Sequence, residues 1–240
     1  MTASQTKTAL IVLTSVDRIP GTDRPTGFYM DEMATPYFAL RDRGIAIRFA
    51  TISGGKPPID PGSLGSEGDR KPNVQRFLDD ADAMTALAEA RPVAEFDATA
   101  FDLVFLPGGH GTMWDFAQSQ ALAALIGRAF DRGAVIGAVC HGPAGLVSAT
   151  TASGRPIVEG RKINAFTDSE ERAVQLEDTV PYLLESALRE KGALFEGTDD
   201  FQSHAVRDGR LVTGQNPASV ERVADLLIQA LDEIRLRGAA

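Results

Sequence analysis

AVIGAVCHGPAGL, Ala134–Leu146, holds the only cysteine of this 240-residue chain and, directly after it, one of its three histidines. Small and apolar residues run without a polar break into Cys140, and the run then gives way to Gly142 and Pro143. A strand that is apolar on both faces marks a parallel sheet covered by helices on either side, and its carboxyl end is the edge where open α/β sheets place their sites. Gly142, Ala144 and Gly145 are small enough for a following helix to pass close beneath the sheet, with Pro143 suited to its first turn. The stretch therefore predicts a strand-turn-helix elbow that carries cysteine where better-known hydrolases carry serine.

A cysteine taken at random is a small buried hydrophobe. Here the start of a helix is expected to favour the thiolate through its dipole and unpaired N–H groups, and His141 offers an imidazole that exchanges protons near neutral pH. A reactive thiolate at Cys140 is the expectation.

Outward from the elbow, short β-branched runs alternate with longer amphipathic stretches. ALIVL (Ala9–Leu13), IAIRFATI (Ile45–Ile52) and DLVFLPGG (Asp102–Gly109) read as strands; Phe28–Arg43, Val74–Ala90 and Met113–Arg132 read as helices. Alternation of this kind means βαβ units, and at this length one domain spanning residues 1–240 is sufficient. Ser53–Pro72, dense in Gly, Pro and charge, reads as a surface loop insertion. Arg155–Phe166 reads as a hairpin turning near Glu159-Gly160, and AVRDGRLV (Ala205–Val212) as another turning at Asp208-Gly209. The last helix opens with Asn216 as cap and Pro217 in the first helical position.

Composition excludes several classes. With 33 acidic against 24 basic residues and a net charge of -9, the chain lacks the basic footprint that nucleic acid or an anionic membrane surface attracts. The apolar run Ala9–Leu13 is too short for a signal-peptide core or a membrane span, and a lone cysteine forms no intramolecular disulfide. A cytoplasmic location is expected on those grounds.

Four motifs carry a family resemblance: AVCHGPAGL, FDLVFLPGGHGTMWDF, GRPIVEGRKINAFTDSEE and DGRLVTGQNPAS. Together they resemble the ThiJ/PfpI superfamily, which shares the class I glutamine amidotransferase-like fold, and within it the branch of small heat-shock chaperones and glutathione-independent glyoxalases (glyoxalase III). The resemblance runs from the first strand to the last helix. It implies a flavodoxin-like three-layer α/β sandwich, its mostly parallel sheet flanked by helices on both faces, with hairpin and loop insertions.

The resemblance also implies a site. The backbone N–H groups of Gly109 and His141 correspond to the family's oxyanion hole, with Gly108 and His110 as further pocket residues. FTDSEERAV leaves Asp168, Glu170 and Glu171 as candidates to orient the histidine; registering the family pattern places that carboxylate at Glu171. Glu32 matches the family's glutamate in the helix after the first strand, and Asp31 is then expected to point elsewhere. Beside a thiol and partly desolvated, Glu32 is expected to have a raised pKa and to shuttle protons. His110 and His204 lack a second His or Cys at metal-ligand spacing, so neither a metal nor another cofactor is expected, and His204 reads as a surface residue.

Glutaminases of this fold take a His-x-Glu pair far downstream of the cysteine, whereas His204 is followed by Ala205 and Val206. The implied activity is instead conversion of methylglyoxal and related 2-oxoaldehydes to 2-hydroxy acids such as lactate. Cysteine peptidase or amidase, protein deglycase, and stress chaperone are the rival readings. A small reactive carbonyl compound is the expected substrate, and a homodimer the expected assembly, since relatives are commonly dimers.

Overall fold

The computed structural model describes residues 6–238, with side chains through residue 233. β1 (Thr8–Leu13) shows why its apolar run has no polar face: Leu10 and Val12 enter one hydrophobic core, while Ala9, Ile11 and Leu13 enter another on the opposite side of the sheet. β5 (Val135–Val139) divides in the same way, with Ile136 and Ala138 on one side and Val135 and Val139 on the other. Apolar runs of this sort are what a sheet covered on both faces requires.

The other strands are β2 (Ala46–Thr51), β3 (Arg91–Pro92), β4 (Leu103–Leu106), β6 (Lys162–Ile163), β7 (Leu194–Phe195), β8 (Ala205–Asp208) and β9 (Leu211–Gly214). Seven of them form one sheet in the order β3-β2-β1-β4-β5-β9-β8, parallel throughout except for β8, which pairs antiparallel with β9. The chain leaves β1 towards β2 on one side and later returns to β4 on the other. The carboxyl ends of β1 and β4 thus flank the switch point at which such sheets open a crevice.

α1 (Met30–Arg41), α2 (Pro72–Leu78), α3 (Ala81–Ala88) and α8 (Val220–Gly238) cover one face. α4 (Thr112–Asp115), α5 (Gln120–Asp131) and α7 (Leu184–Glu190) cover the other, and α6 (Asp168–Ala173) lies by the carboxyl edge. The expected flavodoxin-like three-layer fold is therefore present, but several expected elements differ. The helix read as Val74–Ala90 is two helices, because Asp80 accepts the Ala83 N–H at 2.9 Å and starts α3 afresh. The helix read as Met113–Arg132 divides for the same reason, with Ser119 capping α5.

Arg155–Phe166 is not a hairpin. Ile157 and Val158 are adjacent and both fully buried, which an alternating hairpin strand does not allow, and β6 pairs in parallel with β7 instead. The hairpin of β8 and β9 does form, but its two tip residues are Gly209 and Arg210, one position beyond the expected turn, since Asp208 pairs with Leu211. Ser53–Pro72 is tied down: the Phe28 N–H donates to the Pro58 carbonyl and the Asp60 N–H to the Phe28 carbonyl, each at 2.9 Å, and Pro72 already belongs to α2. Asn216 caps as expected, accepting the Ala218 N–H, and a 3-10 turn at Pro217–Ser219 leads into α8. Among the described residues, no helix is long and apolar enough to cross a membrane.

Candidate active site

Cys140 follows the last residue of β5 and takes a left-handed backbone conformation, φ 59°, which costs a residue with a Cβ and pushes its side chain out of the strand line. The turn after it is a five-residue 3-10 helix, Gly142–Leu146, rather than an α-helix. Gly142 is obligatory there, because a Cβ would collide with the Leu106 carbonyl at the end of β4.

His141 and Glu171 form a relay with the sulfur. His141 Nδ1 lies 3.3 Å from Cys140 Sγ, and His141 Nε2 lies 2.8 Å from Glu171 Oε2. The same carboxylate meets a second imidazole, His110 Nε2, at 3.0 Å through Oε1. The rings of His110 and His141 lie 4.1 Å apart, and Phe166 covers His141 at 4.4 Å. Burial pushes the Glu171 carboxyl up, but its hydrogen bonds to the two imidazoles outweigh burial and hold it at about 2. Burial and the neighbouring His110 push His141 down, so its imidazole is neutral at rest.

The three carboxylates of FTDSEERAV have separate tasks. Glu170 closes a capping box with Thr167, accepting the Thr167 N–H at 2.9 Å while Thr167 Oγ1 accepts the Glu170 N–H at 3.0 Å. Asp168 accepts from Ser186. Only Glu171 reaches the histidines, as the family register implies.

Glu32 approaches from the opposite side. α1 carries it in its first turn, fully buried, with Oε2 accepting the Gly108 N–H at 2.8 Å. Among the described residues Oε1 has no hydrogen-bond partner, and the Cys140 sulfur is a further polar neighbour of the carboxyl. Burial is the main cause that pushes the Glu32 carboxyl up to about 8, so it holds its proton at neutral pH. Asp31 does point elsewhere, to Thr35 Oγ1 at 2.8 Å and Lys71 Nζ at 2.6 Å.

The turn that follows the sulfur is not the helix expected there. Burial pushes the Cys140 thiol well up, and any negative charge on Glu32 adds to that. The helix expected to support a thiolate is one short 3-10 turn, and the sulfur is enclosed. Its proton must leave through a neighbour, and His141 is the base within reach.

Gly108 and Gly109 bring backbone N–H groups to the same edge. A Cβ on Gly108 would meet Val139 O at 2.7 Å and Glu32 Oε2 at 2.8 Å, while one on Gly109, which sits at φ 106°, would meet the Gly27 carbonyl oxygen at 2.3 Å. Among the described residues the Gly109 N–H has no protein acceptor. His204, read as a surface residue, is half-buried, its backbone N–H donating to Ser219 Oγ. Sequence spacing offered no metal set, yet His110, His141 and Glu171 bring three donor atoms within 4.8 Å of one another. Both imidazole Nε2 atoms are already turned to the Glu171 oxygens, so an ion there would displace the relay rather than complement it.

Fold and site together define an α/β protein built around an elbow cysteine with an attached imidazole-carboxylate pair. The pattern of the DJ-1/PfpI family matches residues 26–230, and the chain belongs to that family. It is 31% identical over 235 residues to the glutathione-independent glyoxalase HSP31 of Saccharomyces cerevisiae, covering 94% of this chain and 98% of that one. Its fold is similar to that of glyoxalase III from Candida albicans, with a TM-score of 0.86 and 27% identity over 93% of this chain and 97% of the other. It is also similar to the 24 kDa Rapid Encystment Protein of Francisella tularensis, with a TM-score of 0.89 and 32% identity over 94% and 99% of the two chains.

Proposed function

We propose that this protein is a glutathione-independent glyoxalase, converting 2-oxoaldehydes such as methylglyoxal to 2-hydroxy acids. The observation that carries the reading is a buried thiol held between two proton carriers of opposite state: a neutral imidazole backed by an ionised Glu171, and a protonated Glu32.

The aldehyde carbon accepts the sulfur while the thiol proton passes to His141 Nδ1, 3.3 Å away, and Glu171 stabilises the imidazolium. The carbonyl oxygen becomes an oxyanion facing the Gly109 and His141 N–H groups, then takes the proton back to give a hemithioacetal. Neutral His141 next removes the hydrogen of that carbon as a proton while Glu32 protonates the ketone oxygen, leaving an enediol. His141 returns its proton to the second carbon, and the Glu32 carboxylate takes the hydroxyl proton from the first. A thioester of the 2-hydroxy acid results, with both carriers restored. Water then cleaves the carbon-sulfur bond, releasing lactate and the thiol. One carbon is oxidised as its neighbour is reduced, so the electrons balance within the substrate.

Incubation of the purified chain with methylglyoxal in the absence of glutathione, with lactate as readout, tests the reading. Wild type is expected to form lactate and Cys140→Ser to form none; lactate-free wild type removes the assignment.

A further inference from the structure

The motif GQNPAS, Gly214–Ser219, does more than open α8. Gln215, Asn216 and Ser219 are fully buried, and all three side chains reach one irregular surface segment, residues 198–204. Gln215 Oε1 accepts the Thr198 N–H at 2.9 Å, and its amide donates to the Thr198 carbonyl at 3.3 Å. Asn216 Nδ2 donates to the Gln202 carbonyl at 2.8 Å, and Ser219 Oγ accepts the His204 N–H at 3.0 Å. Glu170, also fully buried, accepts the Phe201 N–H at 2.8 Å and a hydrogen from Asn216 Nδ2 at 2.7 Å. Surface loops ordinarily leave their backbone groups to water. Four buried polar side chains instead hold this one in a single shape.

That shape presents Phe201. Its backbone lies at φ 59°, a conformation that a bulky aromatic residue rarely adopts, and 47% of the residue is exposed. Neither feature favours stability, and strain retained by a rigid support marks a functional position. The Phe201 ring lies 6.3 Å from Phe166, and the Phe166 ring lies 4.4 Å from His141. Phe166 is itself fixed to the elbow, its N–H donating to the Cys140 carbonyl at 2.9 Å. Phe201 is thus the outermost of a row of rings that ends beside the sulfur.

We infer that Phe201 is a specificity-determining residue at the mouth of the site, selecting 2-oxoaldehydes whose ketone carbon bears an apolar, preferably aromatic, substituent. The inference rests on the glyoxalase reading. With the aldehyde carbon on the sulfur, the substituent on the neighbouring carbon lies away from the carbon-sulfur bond, and the inference places it against the apolar ring row formed by Phe166 and Phe201. Glyoxal has only hydrogen at that place and gains nothing from the wall.

The test compares kcat/KM for phenylglyoxal, methylglyoxal and glyoxal in the full chain and in Phe201→Ala, Phe201→Gly and Phe201→Leu. Phe201→Ala and Phe201→Gly are expected to lose about tenfold with phenylglyoxal and less than about twofold with glyoxal, while Phe201→Leu keeps most of the preference. Glycine adopts the left-handed backbone freely, so Phe201→Gly is expected to melt no lower than wild type, separating loss of the ring from loss of the loop. Equal losses with all three substrates, or an unchanged response to phenylglyoxal, overturn the inference and leave the glyoxalase reading standing. A wild type inert towards all three removes that reading and the inference with it.

Discussion

Glu32 and Glu171 are both buried glutamates beside the elbow, and the protein keeps them in opposite states. Glu171 faces two imidazoles and stays ionised, at about 2; Glu32 faces one backbone N–H and a thiol and stays protonated, up to about 8. Burial disfavours the charge on both. What separates them is the partners: Oε1 and Oε2 of Glu171 each meet an imidazole, whereas Oε1 of Glu32 has no hydrogen-bond donor among the described residues. Burial without donors makes an acid, and burial with donors makes an orienting anion.

Variants of the two carboxylates probe that contrast most directly. Removal of the nucleophile in Cys140→Ser should abolish turnover and sets the floor. Glu171→Gln should follow, lowering kcat by about three to four orders of magnitude, because an amide neither stabilises the imidazolium nor fixes the tautomer that leaves Nδ1 facing the sulfur. Glu32→Gln should lose about two to three orders, the contribution of one positioned proton carrier. A glutamine still accepts the Gly108 N–H and donates towards the sulfur, so hemithioacetal formation should survive while product formation fails. Trapping substrate on Cys140 by mass spectrometry in Glu32→Gln checks this; the absence of any adduct would place Glu32 in the addition step instead.

The same contrast predicts opposite pH dependences of stability. Glu32 binds its proton more tightly in the folded state than in the unfolded, where the carboxyl titrates near 4.5. Its contribution is complete below 4.5 and is lost as pH rises towards about 8. Glu171 binds its proton less tightly when folded, so its contribution is complete above 4.5 and is lost as pH falls towards about 2. Urea midpoints should therefore fall less between pH 5 and pH 8 in Glu32→Gln than in wild type, and less between pH 4.5 and pH 2.5 in Glu171→Gln. Parallel curves for wild type and Glu32→Gln would mean that Glu32 is ionised in the folded protein.

Much of this was legible in the sequence, and what was not has physical causes. The two-sided apolar runs of β1 and β5 read correctly because a doubly covered sheet leaves no polar face to confuse the pattern. Cys140 and His141 stand together in one motif and Glu32 follows from the family register, and the structure brings the three side chains to one place. Asp80 and Ser119 interrupt helices although the apolar period continues past them, so the periodic signal overrode two visible cap residues. The false hairpin at Arg155–Phe166 came from turn chemistry at Glu159-Gly160, while the deciding fact, that Ile157 and Val158 are buried side by side, depends on distant packing. The surroundings of the sulfur are hidden from the sequence for a similar reason. Enclosure by Glu32 and the strand ends is a tertiary property, and it opposes the charge that a helix start alone would favour.

His110 was the least legible member of the site, since nothing in PGGHG indicates that its ring joins the relay, and it gives the smallest predicted effect. His110→Ala removes one of the two imidazoles on Glu171 and also the neighbour that pushes His141 down. The His141 hydrogen bond to Glu171 remains, so kcat at neutral pH should fall by less than about tenfold. Both affected groups move the same way, however. Glu171 loses a partner that favours its ionised form, and His141 loses a cause of its lowered pKa, so each takes up a proton at higher pH than in wild type. The acid limb of the kcat/KM profile should move upward in pH while the alkaline limb, governed by Glu32, stays in place. A profile that shifts on the alkaline side would show that His110 acts through Glu32, on the far side of the sulfur, and would break the division between the two carboxylates.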